Sequence, residues 1–136
     1  MVKPELRAIF DAILDDEIAA LPEELALVLE EVPLKVEDEP SARTLEGMGM
    51  EPDEDLLGLH QGTSIDMRKS EGYPRDLDLM MLFRGPIIRQ SADDAGTTKG
   101  RRFERELTRQ IHVTLWHEIG HHLGLDEDDL EELGYG

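Results

Sequence analysis

The feature that most constrains the fold of this chain is a histidine-rich motif at residues 117–126, HEIGHHLGLD, which has the form H-E-x-x-H-x-x-G-x-x-D. Average residue usage gives this pattern a chance probability on the order of 10⁻⁵ in a chain of 136 residues, so coincidence is a poor explanation. In a helix, His117 and His121 lie four residues apart, and their imidazoles leave the same face one turn apart. The motif therefore predicts a helix that carries two closely spaced imidazoles on one face.

The spacing of the motif predicts a zinc site of the catalytic kind. Two imidazoles at this separation can bind one zinc ion, and Glu118, about 100° further round the helix, can reach a zinc-bound water without binding the metal itself. Gly124 can adopt a positive φ and end the helix, so that the chain turns back and presents Asp126 as a third ligand. Zinc with three protein ligands keeps an open position for water. We therefore expect Zn²⁺ to be held by His117, His121 and Asp126.

Other residues are weaker candidates for this site. Glu127 replaces Asp126 as the third ligand if the turn after the helix runs differently. His122 lies about 100° from the ligand face, so we expect it to pack in the core or to support the ligands. His112 is expected on the surface or in the core of the helix. His60 falls on a predicted strand, where it either lines the cleft or has a structural role.

Composition and charge limit the remaining possibilities. A length of 136 residues predicts a single domain, residues 1–136, and the absence of cysteine excludes disulfides, Cys-ligated zinc and a cysteine nucleophile. Neither a signal peptide nor an 18-residue apolar run is found, so we expect a cytoplasmic protein without a membrane partner. A net charge of −18 disfavours nucleic acid and favours basic peptides or a basic protein partner. Arg84 is expected to pair with one of the many acids or to bind a substrate carboxylate.

Apolar spacing predicts two N-terminal helices, three strands and a long C-terminal helix. The first helix is predicted over 5–19, and the second runs from Pro22 to Pro33. The predicted strands are 34–39, 56–62 and 77–84, with residues 87–88 continuing the third strand after a bend at Pro86, and the predicted loops are 40–55, 63–76 and 91–100. The long helix is predicted from about 99 to 123, and residues 126–136 form a short helix or a frayed end. Glycines in the second strand indicate a bulge or a close approach of its backbone to another element. This order of elements predicts an α+β fold with a small mixed sheet.

Three segments of the sequence carry a family resemblance: residues 56–59 (LLGL), 82–87 (LFRGPI) and the motif at 117–126. Together they resemble the short bacterial zincin-like metallopeptidases, which have been called minimal metalloproteases. The resemblance implies a reduced zincin-like fold, in which the edge strand of a small sheet lies over the active-site helix. His117, His121 and Asp126 match the ligand positions of that family, and Glu118 matches its general base. The function implied is zinc-dependent hydrolysis of a peptide or protein substrate by a metal-activated water.

The motif also resembles that of the metzincins, which usually have a third histidine where this chain has Asp126. Metzincins carry a methionine-containing turn downstream of the motif, and no methionine follows Asp126 here. We therefore expect the reduced fold and not the full metzincin architecture. Two further functions stay open: a metal-binding protein without catalysis, and an acidic protein-interaction module. Glu118 favours the enzyme, because a purely structural zinc site does not need it.

Overall fold

The computed structural model describes residues 2–61, 79–124 and 127–132. Helices and strands alternate irregularly along these residues, which confirms the α+β class. In chain order the elements are α1 (Pro4–Ala19), α2 (Glu23–Glu31), β1 (Leu34–Glu37), α3 (Ala42–Gly47), β2 (Gly58–Gln61), β3 (Leu79–Phe83), α4 (Arg84–Ala95), α5 (Gly100–His122) and α6 (Glu127–Glu132). The predicted loop at 63–76 lies outside the described residues. No helix within the described ranges is long and apolar enough to span a membrane.

The strands form a small mixed sheet, as predicted, and their order in it is β1-β3-β2. In the centre, β3 pairs in parallel with β1, where Leu34 lies opposite Met80, and antiparallel with β2, where Gly58 lies opposite Leu82. Met80 and Leu82 are fully buried. Because residues directly opposite each other project from the same face of a sheet, Gly58 and His60 lie on the face of these two buried side chains. Among the described strands, β2 is therefore an edge strand whose inner face is turned towards the core.

The long helix α5 is the centre of the hydrophobic core. Its buried stripe has one residue every four positions, which places the side chains along one side of the helix. No member of this stripe is more than 1% exposed, and its members are Phe103, Leu107, Ile111, Leu115 and Ile119. Against it pack α1, α4, β2 and β3. The element that bears the motif is thus held by contacts along its whole length.

Polar contacts join α1 to the rest of the fold. His112 on α5 lies 2.5 Å from Glu17, measured from Nδ1 to Oε1, which places this histidine at the interface between α1 and α5. Arg84 donates hydrogen bonds to Asp11 at 2.8 Å and to Asp38 at 3.0 Å, so its predicted pairing with acids is the role observed. Burial raises the pKa of Asp38, but the hydrogen bonds from Arg7 and Arg84 outweigh this and hold its pKa below the ordinary value.

The predicted strand continuation at residues 87–88 is wrong, and so is the loop predicted for the whole of 91–100. Helix α4 begins directly after β3 and continues to Ala95, where Gly96 ends it with φ +76°. Pro86 is the third residue of this helix, and a proline in the first turn costs no hydrogen bond because the N–H groups there have no partner within the helix. Pro86 therefore marks the start of a helix here and not a bend in a strand.

The loop predicted over 40–55 contains the short helix α3. Ser41 caps its N-terminus, where the side-chain oxygen accepts a hydrogen bond from the backbone N–H of Thr44 at 3.0 Å. Leu45 is the buried residue of this helix, with 5% of its surface exposed. A capping serine and one buried leucine thus accompany a helix of six residues, although the sequence around it is rich in residues typical of loops.

Candidate active site

The motif helix ends as its sequence predicts. The α-helical hydrogen bonds run through His122, and Gly124 then adopts φ +84°, in the left-handed region that favours glycine. The backbone N–H of Gly124 donates to the carbonyl oxygen of His121 at 3.0 Å, which satisfies one of the last carbonyls of the helix. The helix therefore ends before Asp126, the predicted third ligand, and Gly124 has the positive φ that was predicted for it.

The two imidazoles of the motif lie side by side on one face of α5. The ring centroids of His117 and His121 are 4.6 Å apart, and the rings are inclined by 78°. Glu118 is 8% exposed, and its Oε1 lies 3.7 Å from Nδ1 of His121. Two imidazoles and one carboxylate are thus gathered at one end of the helix, in the arrangement that the spacing predicts.

The edge strand β2 passes very close to Glu118. A Cβ atom built on Gly58 would lie 2.9 Å from Cγ2 of Thr114 and 3.1 Å from Oε2 of Glu118. These separations are shorter than ordinary van der Waals contacts, so only glycine fits without displacement of a neighbour. The close backbone approach predicted for the second strand is therefore found at Gly58, and it brings the strand onto the general-base candidate.

A cleft of about 300 Å³ opens between the start of β2 and α5. Its lining residues on the helix recur every three or four positions, which is the spacing of one helical face. They are Gln110, Val113, Thr114, His117 and Glu118, and Leu57 and Gly58 form the opposite wall. The histidine motif by itself does not single out Gln110 and Val113. Their positions seven and four residues before His117 are the signal that would have identified them.

The third ligand position lies outside the described residues. Asp126 is not among them, and of Glu127 only the backbone, in the first residue of α6, is described. Within 2–61, 79–124 and 127–132, no three His, Cys, Asp or Glu side chains form a group that could hold a metal. The described pair of imidazoles fits zinc chemically, because zinc accepts imidazole nitrogen together with carboxylate oxygen. The choice between Asp126 and Glu127 stays a prediction.

A second histidine pair joins β2 to the end of the motif. His122 is fully buried, which confirms that it packs in the interior, and its Nδ1 lies 3.2 Å from Nε2 of His60 on β2. The two ring centroids are 5.3 Å apart, in an edge-to-face arrangement. These residues are 62 positions apart in sequence, so no local pattern could have predicted the contact.

Comparison with known proteins adds one finding to this geometry. A family model described as a zincin-like metallopeptidase matches residues 29–136 of the chain. The matched range includes the edge strand, the cleft and the whole histidine motif. A comparison with curated proteins found no match.

Proposed function

Because this chain belongs to the zincin-like metallopeptidase family, we propose that it is a zinc-dependent endopeptidase with Glu118 as its general base. The observation that carries the proposal is the position of Glu118. Its carboxylate lies beside His121 and directly beneath Gly58, and it lines the same cleft as His117. A substrate segment that enters this cleft meets the carboxylate and an imidazole together.

The ligands that we propose for zinc are His117, His121 and Asp126, with Glu127 as the alternative third ligand. A zinc ion bound there would polarise the scissile carbonyl and make a water molecule more acidic. The two imidazoles are already on one face of a helix that is packed along its length. Little conformational freedom is therefore lost when they bind the ion, which favours binding.

The surroundings of Glu118 support its proposed role as general base. It is largely buried, yet it lines the cleft, so its carboxylate can accept a proton from a water molecule beside the substrate. The water oxygen bonds to the carbonyl carbon, the C–N bond breaks, and the proton held by Glu118 passes to the leaving amine. Glu118 thus returns to its ionised state at the end of each turnover.

The lining of the cleft supports a proposal about the substrate. Apart from the imidazole of His117 and the carboxylate of Glu118, the described side chains around it carry no ionisable group, and Leu57 and Val113 are aliphatic. We propose that an uncharged, mainly apolar side chain next to the scissile bond occupies the cleft. Outside it, the net charge of −18 favours substrates with basic residues at a distance from the cleavage point.

Metal content tests the site independently of activity. Protein purified without chelator is expected to contain about one zinc per chain, and a His117→Ala variant is expected to lose it. His112→Ala is the matched control, since His112 lies on the same helix but faces Glu17. Equal zinc content in wild type and in His117→Ala would contradict the ligand assignment. Paired Asp126→Asn and Glu127→Gln variants then decide between the two third ligands, because only the true ligand lowers zinc content when it is changed.

Cleavage of a peptide with blocked N- and C-termini tests the activity, because only an endopeptidase cleaves such a substrate. Glu118→Gln is expected to abolish cleavage while zinc content stays at the wild-type value. Glu104→Gln is the matched control, because Glu104 is an exposed residue of the same helix, 14 positions before Glu118. Cleavage by the Glu118→Gln variant would show that this residue is not the base. Zinc-loaded wild type that cleaves no peptide would favour a metal-binding protein without catalysis.

A further inference from the structure

The edge strand β2 and the helix α5 touch at two places on the same face of the strand. Gly58 meets the side chains of Thr114 and Glu118, and two residues further along the strand His60 meets His122. Two residues of strand span about 6.8 Å, and the four residues from Glu118 to His122 span about 6 Å of helix. The strand and the helix therefore run alongside each other with matched spacing, and the two contacts fix one against the other.

The two contacts differ in kind. At Gly58 the backbone of β2 rests on side chains of α5, a contact that limits how closely the strand approaches but does not fix its position along the helix. That position otherwise depends on the pairing of β2 with β3. The contact between His60 and His122 is directional, because one ring nitrogen must donate a hydrogen bond to the other. His122 is fully buried on a helix packed on several sides, so it is a fixed anchor. A directional bond to a fixed anchor therefore adds to the pairing with β3 and holds β2 directly against α5.

We propose that His60 is a positioning residue, which holds β2 at the register against α5 that the cleft requires. Leu57 and Gly58 form the strand side of the cleft, and Glu118 and His117 form part of its helix side. A change in the register of β2 would move the first wall relative to the second. The consequence for catalysis rests on the proposed function, whereas the positioning of β2 does not.

The variants that test this role are His60→Leu, which cannot form a hydrogen bond, and His60→Gln, whose amide can still reach a ring nitrogen. His112→Leu is the matched control, because it removes the other histidine contact of α5, to Glu17, on the side of α1. The first measurement is hydrogen–deuterium exchange of the backbone amides of β2, with and without zinc. We expect faster exchange in His60→Leu, wild-type exchange in His60→Gln, and no change at β2 in His112→Leu.

The second measurement is steady-state kinetics on a blocked peptide. If β2 is held less firmly, the strand side of the cleft binds the substrate and the transition state less tightly by the same amount. Such a change raises KM and leaves kcat nearly unchanged. For one lost hydrogen bond we expect a rise in KM of about five- to tenfold in His60→Leu, with kcat within about twofold of wild type. His60→Gln is expected to restore KM, and zinc content is expected to stay the same in all variants.

The outcomes separate the two proposals. Unchanged exchange at β2 in His60→Leu, or a His60→Gln variant as impaired as His60→Leu, would overturn the positioning role. Faster exchange restored by glutamine supports it, even if the wild-type protein cleaves no peptide and the proposed function fails. A fall in kcat or in zinc content without a rise in KM would also overturn it, because His60 would then act on the metal ligands and not on the strand.

Discussion

Replacement of Gly58 by alanine tests the geometry on which the active site depends. The new Cβ would lie 2.9 Å from Cγ2 of Thr114 and 3.1 Å from Oε2 of Glu118. Ordinary contact requires about 3.4 Å or more, so the neighbours must move by a few tenths of an ångström. Thr114 is buried on α5, and a β-branched side chain has few rotamers available, so it cannot easily move aside. We expect either Glu118 or β2 to be displaced.

The size of the effect follows from these distances. Overpacking of this kind typically costs about 1–3 kcal/mol of folding free energy. For 136 residues, the unfolding entropy is about 0.29 kcal/mol/K, so each kcal/mol lowers Tm by about 3–4 °C. A loss of roughly 3–10 °C is expected. Because a 1 Å misplacement can reduce a rate about 100-fold, a shift of a few tenths is expected to reduce kcat/KM by several-fold to about tenfold.

Thermal unfolding of the apo protein and cleavage of a blocked peptide measure the two effects separately. Gly47→Ala is the matched control, because a Cβ at Gly47 meets nothing within 4 Å and alanine favours the helix in which this residue lies. The control is expected to keep its activity and to lose no stability. If Gly58→Ala unfolds at the wild-type temperature and cleaves at the wild-type rate, β2 is not as close to Glu118 as described, and the geometric basis of the proposed function fails.

Three further predictions follow from the packing, the ion pairs and the cleft. Gly85→Ala is expected to lower the free energy of unfolding by about 1–3 kcal/mol, because its Cβ would collide with the carboxylate of Glu39 and lie 2.8 Å from the carbonyl oxygen of Asp38. A urea unfolding midpoint equal to that of the wild type would contradict this. Because the folded pKa of Asp38 is lowered from 3.8, its contribution to stability is present above that pH and is lost as the pH falls through the folded value. Asp38→Asn should therefore destabilise the protein at pH 7 and reduce the loss of stability below about pH 4. An unchanged acid transition would refute the stabilising pairing of Asp38 with Arg7 and Arg84. Val113→Phe is expected to fill the cleft and to lower kcat/KM about tenfold or more for peptides with a large apolar side chain beside the scissile bond. The loss is expected to be smaller for peptides that have alanine at that position. Equal losses for the two kinds of peptide would show that the substrate side chain does not bind in this cleft.

The local parts of the fold and of the site could be predicted from the sequence, because short-range rules decide them. Helical spacing fixed the face shared by His117 and His121, and the freedom of glycine to adopt positive φ predicted the helix end at Gly124. Pro86 could not be assigned correctly from the sequence, because proline is compatible both with the first turn of a helix and with a break in a strand, and its neighbours Ile87 and Ile88 favour a strand. Tertiary packing decided between the two.

Contacts between distant segments could not be predicted. His60 and His122 meet only because β2 lies antiparallel to β3 on the side of the sheet that α5 covers, and no property of either residue indicates this. Gly58 is an intermediate case. A glycine within a strand indicated a close approach, but the identity of the neighbouring element depended on the fold.

The continuous buried stripe of α5 has a consequence for how this protein can change. The same 23 residues supply the centre of the core and the imidazoles of the site, so the site cannot open locally without loosening the interior. A cavity made far from the motif, for example by Leu107→Ala, would then lower both the affinity for the metal and the free energy of unfolding, because both depend on helix α5. Variation in substrate preference is therefore more easily acquired at Leu57, on the wall of the cleft opposite α5, where a substitution leaves the helix intact.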